Sequence, residues 1–253
     1  MSDRSSASLR VVRSPEGASV VGLMRSSGAV AFRPTDWGVW MVGASAHPIG
    51  GDRLLMRVAV NAGCSTEIRA ASATVARRAP FGGSARSVTS TVVHVGAAAS
   101  LVWKPEPGVA ACGSDHMSDT RIWLAAGARL SWRDEFVLGR HAEDPGTWTS
   151  RMRVSVAGRP LLASQLAAGP AASGWGSPAV LGGARAVSTL VVVDPCWPPG
   201  GSSARVESDG VSAVALPLPG PGLQITAWGD DLTSCRAAVE ELVVRQKKIV
   251  TAP

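Results

Sequence analysis

Four glycines set the period of this chain. Gly63, Gly96, Gly127 and Gly158 stand 33, 31 and 31 residues apart, and each lies between two strand-like segments. Arg57 to Gly63 leads to Ser65–Ala70, Thr91 to Gly96 leads to Ser100–Trp103, Arg121 to Gly127 leads to Arg129–Trp132, and Arg151 to Gly158 leads to Pro160–Ala163. Self-similarity at a period of about 20–50 residues marks stacked supersecondary units, each unable to bury its apolar face alone. Each unit reads as a hairpin whose glycine takes positive φ at the turn. A lone hairpin is marginal in water, so the units must stack. The expected fold is therefore mainly β, of layered and largely antiparallel hairpins forming a sandwich or a solenoid-like stack.

A chain of 253 residues with 45% hydrophobic and 17% charged residues buries a sizeable core. All-β folds of this length are commonly one unit, so a single domain over 9–253 is expected after a flexible start at 1–8. Few helices are expected. Asp230 or Asp231 caps a C-terminal one, along which Leu232, Cys235, Val239, Leu242, Val243 and Ile249 recur at helical spacing, with Lys247 and Lys248 at the end that favours cations. The net charge of +6 comes almost entirely from arginine, since the lysines are Lys104, Lys247 and Lys248. The arginines are scattered without a basic cluster or aromatic–basic motif, which argues against nucleic acid and for acidic protein partners. A Ser-rich start without an apolar core does not read as a secretory signal, and no apolar run of about 18 residues spans a membrane. A cytoplasmic protein is expected. Cys64, Cys112, Cys196 and Cys235 form no Cys-x-x-Cys pair and read as small buried apolar residues.

Catalytic signatures for phosphate loops, dinucleotide binding and zinc proteases are missing from the sequence. Gly43-Ala-Ser-Ala-His47 lacks the last glycine of a nucleophile elbow, and His94 reads as a structural residue in mid-strand. Three connections, Ala73–Ser87, Lys104–Asp119 and Gly139–Ser150, carry polar groups that a stack would gather on one rim. The most metal-like stretch is Cys112 to Asp119, in which thiolate, imidazole and carboxylate (Cys112, Asp115, His116, Asp119) suit a borderline ion held transiently. In Leu130-Ser-Trp132-Arg-Asp134-Glu-Phe136 the two-residue pleat sets Asp134 beside Leu130, Trp132 and Phe136 on the interior face, and Glu135 on the other. An interior carboxylate needs a partner or a polar path. The alternative functional reading is a β-solenoid hydrolase or lyase using Asp134, Asp115 and His116.

In their joint order, Gly50-Gly51-Asp52, Thr74-Val75-Ala76-Arg77, Trp103-Lys104-Pro105 and Asp134-Glu-Phe-Val-Leu-Gly139-Arg140 resemble the urease accessory protein UreD (UreH) family. The resemblance implies a non-enzymatic, β-rich metallochaperone that works with UreF and UreG, docks to apo-urease and passes nickel through an internal tunnel. It further implies assembly through UreF, possible as a dimer, with transient nickel and no tightly bound cofactor. On this footing Asp134 is the first expected nickel-path residue, followed by Glu135, Asp52, Asp115 and His116. Arg77, Arg140, Trp175 and Trp197 are the expected partner contacts. The chain departs from the family where Leu161–Gln165 lacks an acidic residue.

Overall fold

A computed structural model describes residues 4–80, 85–197, 202–208 and 210–251. Its strands are β1 (Arg4–Arg13), β2 (Ser19–Ser27), β3 (Val30–Pro34), β4 (Val39–Gly43), β5 (Arg53–Val60), β6 (Ser65–Ala70), β7 (Thr74–Ala76), β8 (Ser87–Val95), β9 (Ser100–Lys104), β10 (Gly108–Ala110), β11 (Asp115–Leu124), β12 (Arg129–Leu138), β13 (Thr147–Val156), β14 (Arg159–Ala168), β15 (Ala186–Val193), β16 (Ala204–Ser208), β17 (Val211–Pro217) and β18 (Gly222–Gly229), followed by helix α1 (Leu232–Thr251).

The periodic glycines turn the chain, but mostly not as hairpins. A seven-stranded sheet runs β14-β13-β11-β8-β5-β1-β2 and an eleven-stranded sheet has the path β16-β17-β18-β15-β12-β9-β6-β4-β3. The first three periodic glycines thus hand the chain from one sheet to the other, linking β5 to β6, β8 to β9 and β11 to β12. Each strand pairs in parallel with its equivalent one coil later. The solenoid-like stack is the one of the two expected forms that the strands take, and the largely antiparallel hairpins expected within it are corrected to parallel coils. The reason is the period itself: parallel pairing needs a crossover of a dozen or more residues, and a coil of this length supplies it. Only at Gly158 do the flanking strands, β13 and β14, pair antiparallel as a hairpin. Gly96 also departs from the expectation, because Ala98 carries the positive φ at that corner. What Gly96 supplies is room: a Cβ there would strike the backbone of Ala62.

Registered columns of like side chains fill the space between the sheets. Val58, Val93, Ile122 and Val154 align across four strands, as do Val60, Val95, Leu124 and Val156. Trp103 and Trp132 are register partners whose rings stack at 4.5 Å and 2°. Each such side chain, when fully buried, contributes about 1.5–3 kcal/mol. The start of the chain joins this core. From Arg4 onward it is strand β1, paired with β5, and Ala7, Leu9 and Val11 are buried; of the flexible start expected over 1–8, residues 4–8 are strand and residues 1–3 lie outside the described residues.

Beyond β12 the larger sheet continues antiparallel through β15, β18, β17 and β16. Helix α1 covers the outer face of that extension, setting Cys235, Ala238, Val239 and Leu242 against Leu190, Ala213 and Ile225. Asp231 caps it, accepting from the Ser234 amide at 2.9 Å. The side chains of Lys247, Lys248 and Ile249 lie outside the described residues. Among the described residues no helix is long and apolar enough to cross a membrane.

Candidate functional site

The interior of the stack changes chemistry along the strands. Toward the glycine corners the inward residues of β8 and β11 are Val93, Val95, Ile122 and Leu124; toward the opposite end they are Ser87, Thr89, Thr91, His116, Ser118 and Thr120. A cavity of about 360 Å³ opens at this polar end, lined by most of those residues together with His47, Asp134 and Trp148.

Asp134 reaches the cavity from β12, and Ser150 stands behind it on the inward face of β13. The Ser150 hydroxyl donates to the Asp134 carboxylate, bridging the two sheets. Burial pushes this carboxyl above its ordinary range, the Ser150 hydrogen bond opposes the shift, and the neighbouring Glu135 charge adds to it. His116 Nδ1 lies 2.8 Å from the Ser87 hydroxyl, and its ring packs 4.5 Å from Trp148. Burial, with a smaller contribution from His47, pushes the His116 imidazole down to about 3, so it is neutral at physiological pH. Trp148 in turn covers Gly108, where a Cβ would collide with its ring.

Other expected site residues fall elsewhere. Asp52 closes the turn before β5, accepting from the Ile49 amide at 2.9 Å and lying 3.2 Å from His47 Nδ1. It does not line the cavity itself, whereas its neighbour His47 does. Glu135 borders the cavity, yet its carboxylate points to the helix side, where it accepts from Ser188 at 2.7 Å, Arg236 Nε at 3.0 Å and Arg133 at 3.3 Å. Arg133 also pairs with Glu240 on α1. Glu135 is thus the knot of a network tying β12 and β15 to α1. Asp115 faces outward, paired with Arg86 at 2.9 Å.

The stretch from Cys112 to Asp119 does not bring its candidate donors together. Its second half is strand β11, whose pleat sends His116 inward and Asp115 and Asp119 outward, while Cys112 is exposed at the corner before it. Among the described residues, no three His, Cys, Asp or Glu side chains gather as metal ligands. Cys196 is exposed as well, so the expectation of four buried cysteines holds for Cys64 and Cys235 alone.

The expected partner residues are spread over the surface. Arg77 is exposed and donates to the Ala46 carbonyl at 3.2 Å. Arg140 is clamped to Glu143 through two bonds of 2.9 and 2.7 Å, which hold the Glu143 carboxyl down at about 2. Trp175 and Trp197 are half-buried, one against the Phe136–Trp148 cluster and the other against the helix cluster. The exposed tryptophans are Trp37 and Trp123. His47, Ser150 and Trp148 escaped the sequence reading as site residues. Strand parity in Thr147–Val156 carried the signal for the last two, since Trp148, Ser150, Met152 and Val154 share one face.

A model of the UreD urease accessory protein family matches residues 4–252. Urease accessory protein UreD 3 of Streptomyces griseus is 39% identical over 248 residues, covering 95% of this chain and 96% of its own length. The UreD proteins of Streptomyces avermitilis and Frankia alni are 38% and 37% identical, with 89% and 94% of this chain covered and 90% and 92% of theirs.

Proposed function

Since the chain belongs to the UreD urease accessory protein family, a family of accessory proteins and not of enzymes, we propose that it is a urease maturation factor. In this reading it is a scaffold and metallochaperone that, with UreF and UreG, docks to apo-urease in the cytoplasm and conducts nickel toward the urease active site. The observation that carries the nickel step is Asp134. One carboxylate, held by one serine hydroxyl, faces a cavity lined with hydroxyls and imidazoles. Nickel is the cargo, and it needs donors that replace part of its water shell without trapping it. An isolated carboxylate with weak neutral oxygen neighbours meets that need, whereas a closed thiolate or histidine cage would slow release. Neutral His116 offers its ring without adding charge.

The test is urease activation in a nickel-supplied host carrying the cognate operon. Asp134→Asn, which keeps shape and removes charge, is expected to leave the protein folded and in complex with UreF but to lower the nickel content of urease at least about tenfold, on the scale of one lost charged ligand. Wild-type nickel loading by the variant would remove Asp134 from the path. Fully active urease with the gene deleted would overturn the maturation role altogether.

A further inference from the structure

The outer face of the seven-stranded sheet carries a line of arginines that the cavity does not use. Register places Arg153 beside Arg121, Arg121 beside Val92, Val92 beside Arg57, Arg57 beside Ser8 and Ser8 beside Arg25. Four of the six positions in this row are arginine. At about 4.8 Å between strands the row is about 24 Å long, with Arg25, Arg57 and Arg121 about 10 Å apart in turn. Arg10 lies two residues from this row and Arg53 four, both on the same face, and all six of these arginines are exposed. Among the described residues the acids paired on this face are Asp119, bound to Arg121 and Arg153, and Asp115, bound to Arg86. Neither pairs with Arg10, Arg25 or Arg57. Helix α1 lies against the other sheet and covers none of it.

We propose that this face docks a folded protein partner that presents a carboxylate-rich surface. The proposal rests on the maturation reading, which makes apo-urease that partner. Guanidinium groups fixed on a rigid sheet match carboxylates in bidentate fashion and lose little freedom in doing so. The face from Arg53 to the Arg10 row runs six residues, about 20 Å at about 3.3 Å per residue, so the footprint of about 24 Å by 20 Å supplies more than half of the roughly 800 Å² that each partner gives to a stable interface. A sheet face interrupted by Asp119 and Asp115 suits protein better than duplex nucleic acid, whose phosphates those carboxylates would repel. Trp123, exposed and stacked at 4.8 Å on His94 one row away, adds an aromatic anchor of the kind protein interfaces favour.

The experiment measures binding of purified apo-urease to the full chain co-purified with UreF, at about 50 mM and about 300 mM salt. The wild type is compared with Arg25→Glu/Arg57→Glu and with the neutral Arg25→Gln/Arg57→Gln, each checked by circular dichroism. The expected result is affinity at least about tenfold weaker for the charge reversal and an intermediate loss for the neutral pair, both narrowing at high salt. Should the reversal fail to fold, the neutral pair decides alone. Unchanged affinity in folded variants overturns the proposal and leaves the maturation reading standing. No binding by the wild type at either salt overturns both. Arginine-dependent binding of duplex DNA, with apo-urease indifferent to the substitutions, overturns it in favour of nucleic acid.

Discussion

His116 is neutral in the folded protein and titrates near the ordinary histidine value of about 6.5 once unfolded. Because its folded value is depressed, the unfolded chain binds the proton first, and stability is lost as pH falls below about 6.5 toward 3. The slope approaches about 1.4 kcal/mol per pH unit, so about 2 kcal/mol is lost between pH 6.5 and 5. His116→Gln should flatten that stretch of the stability profile, as read by urea denaturation at a series of pH values. Asp134 has the opposite sense: its raised value means stability falls as pH rises through it. The thiols separate by exposure. Cys112 and Cys196 should react with a thiol reagent in the native protein, while Cys64 and Cys235 should wait for unfolding, Cys235 the more so because burial pushes it up to about 12. Much of this was legible in the sequence. The side of the strand taken by Asp134 followed from alternation alone, but its Ser150 partner did not, because that contact crosses between sheets. The apparent ligand cluster at Cys112–Asp119 dissolved for the same reason that Asp134 was found, since a pleat separates neighbours in sequence.

At the level of elements, the link between β12 and α1 is the most consequential single connection. Glu135, 3% exposed, accepts from a serine and two arginines, while Glu240 and Glu106, the other acids of that knot among the described residues, are exposed. Removing it strands the buried Arg133 without a full complement of acceptors, so Glu135→Ala should cost about 3 kcal/mol. Thermal unfolding would read the total, and hydrogen exchange in α1 should rise before that of the coils. Gly108→Val makes a packing test at the cavity wall, where the new side chain meets Trp148. A loss of about 1–3 kcal/mol is expected in denaturant melts. The capped helix was readable from Asp231 and its apolar spacing. The parallel pairing was not, because alternation of apolar residues is the same whichever neighbour a strand takes; only the regular period carried that information.

For the molecule as a whole, the coil corners and the strands differ in what they tolerate. Each coil is fixed to the next by ladders whose register sets which side chains face inward, as in the Val58, Val93, Ile122 and Val154 column. Inserting one residue within β11 would turn every later side chain of that strand to the opposite face, burying Arg121 and exposing Ile122. Insoluble or unfolded protein is the expected outcome. At the Ala157–Gly158 turn, where a side chain added to Gly158 would meet open space, the chain only has to return, and doubling the length of a flexible loop costs only about 0.6 kcal/mol. A four-residue Gly-Ser insertion after Gly158 should therefore leave the melting profile within about 1 kcal/mol of the parent. The same distinction divides the chain for anyone who would splice into it: a tag or a label belongs at an open turn, while the ladders hold the polar interior around Asp134 in place.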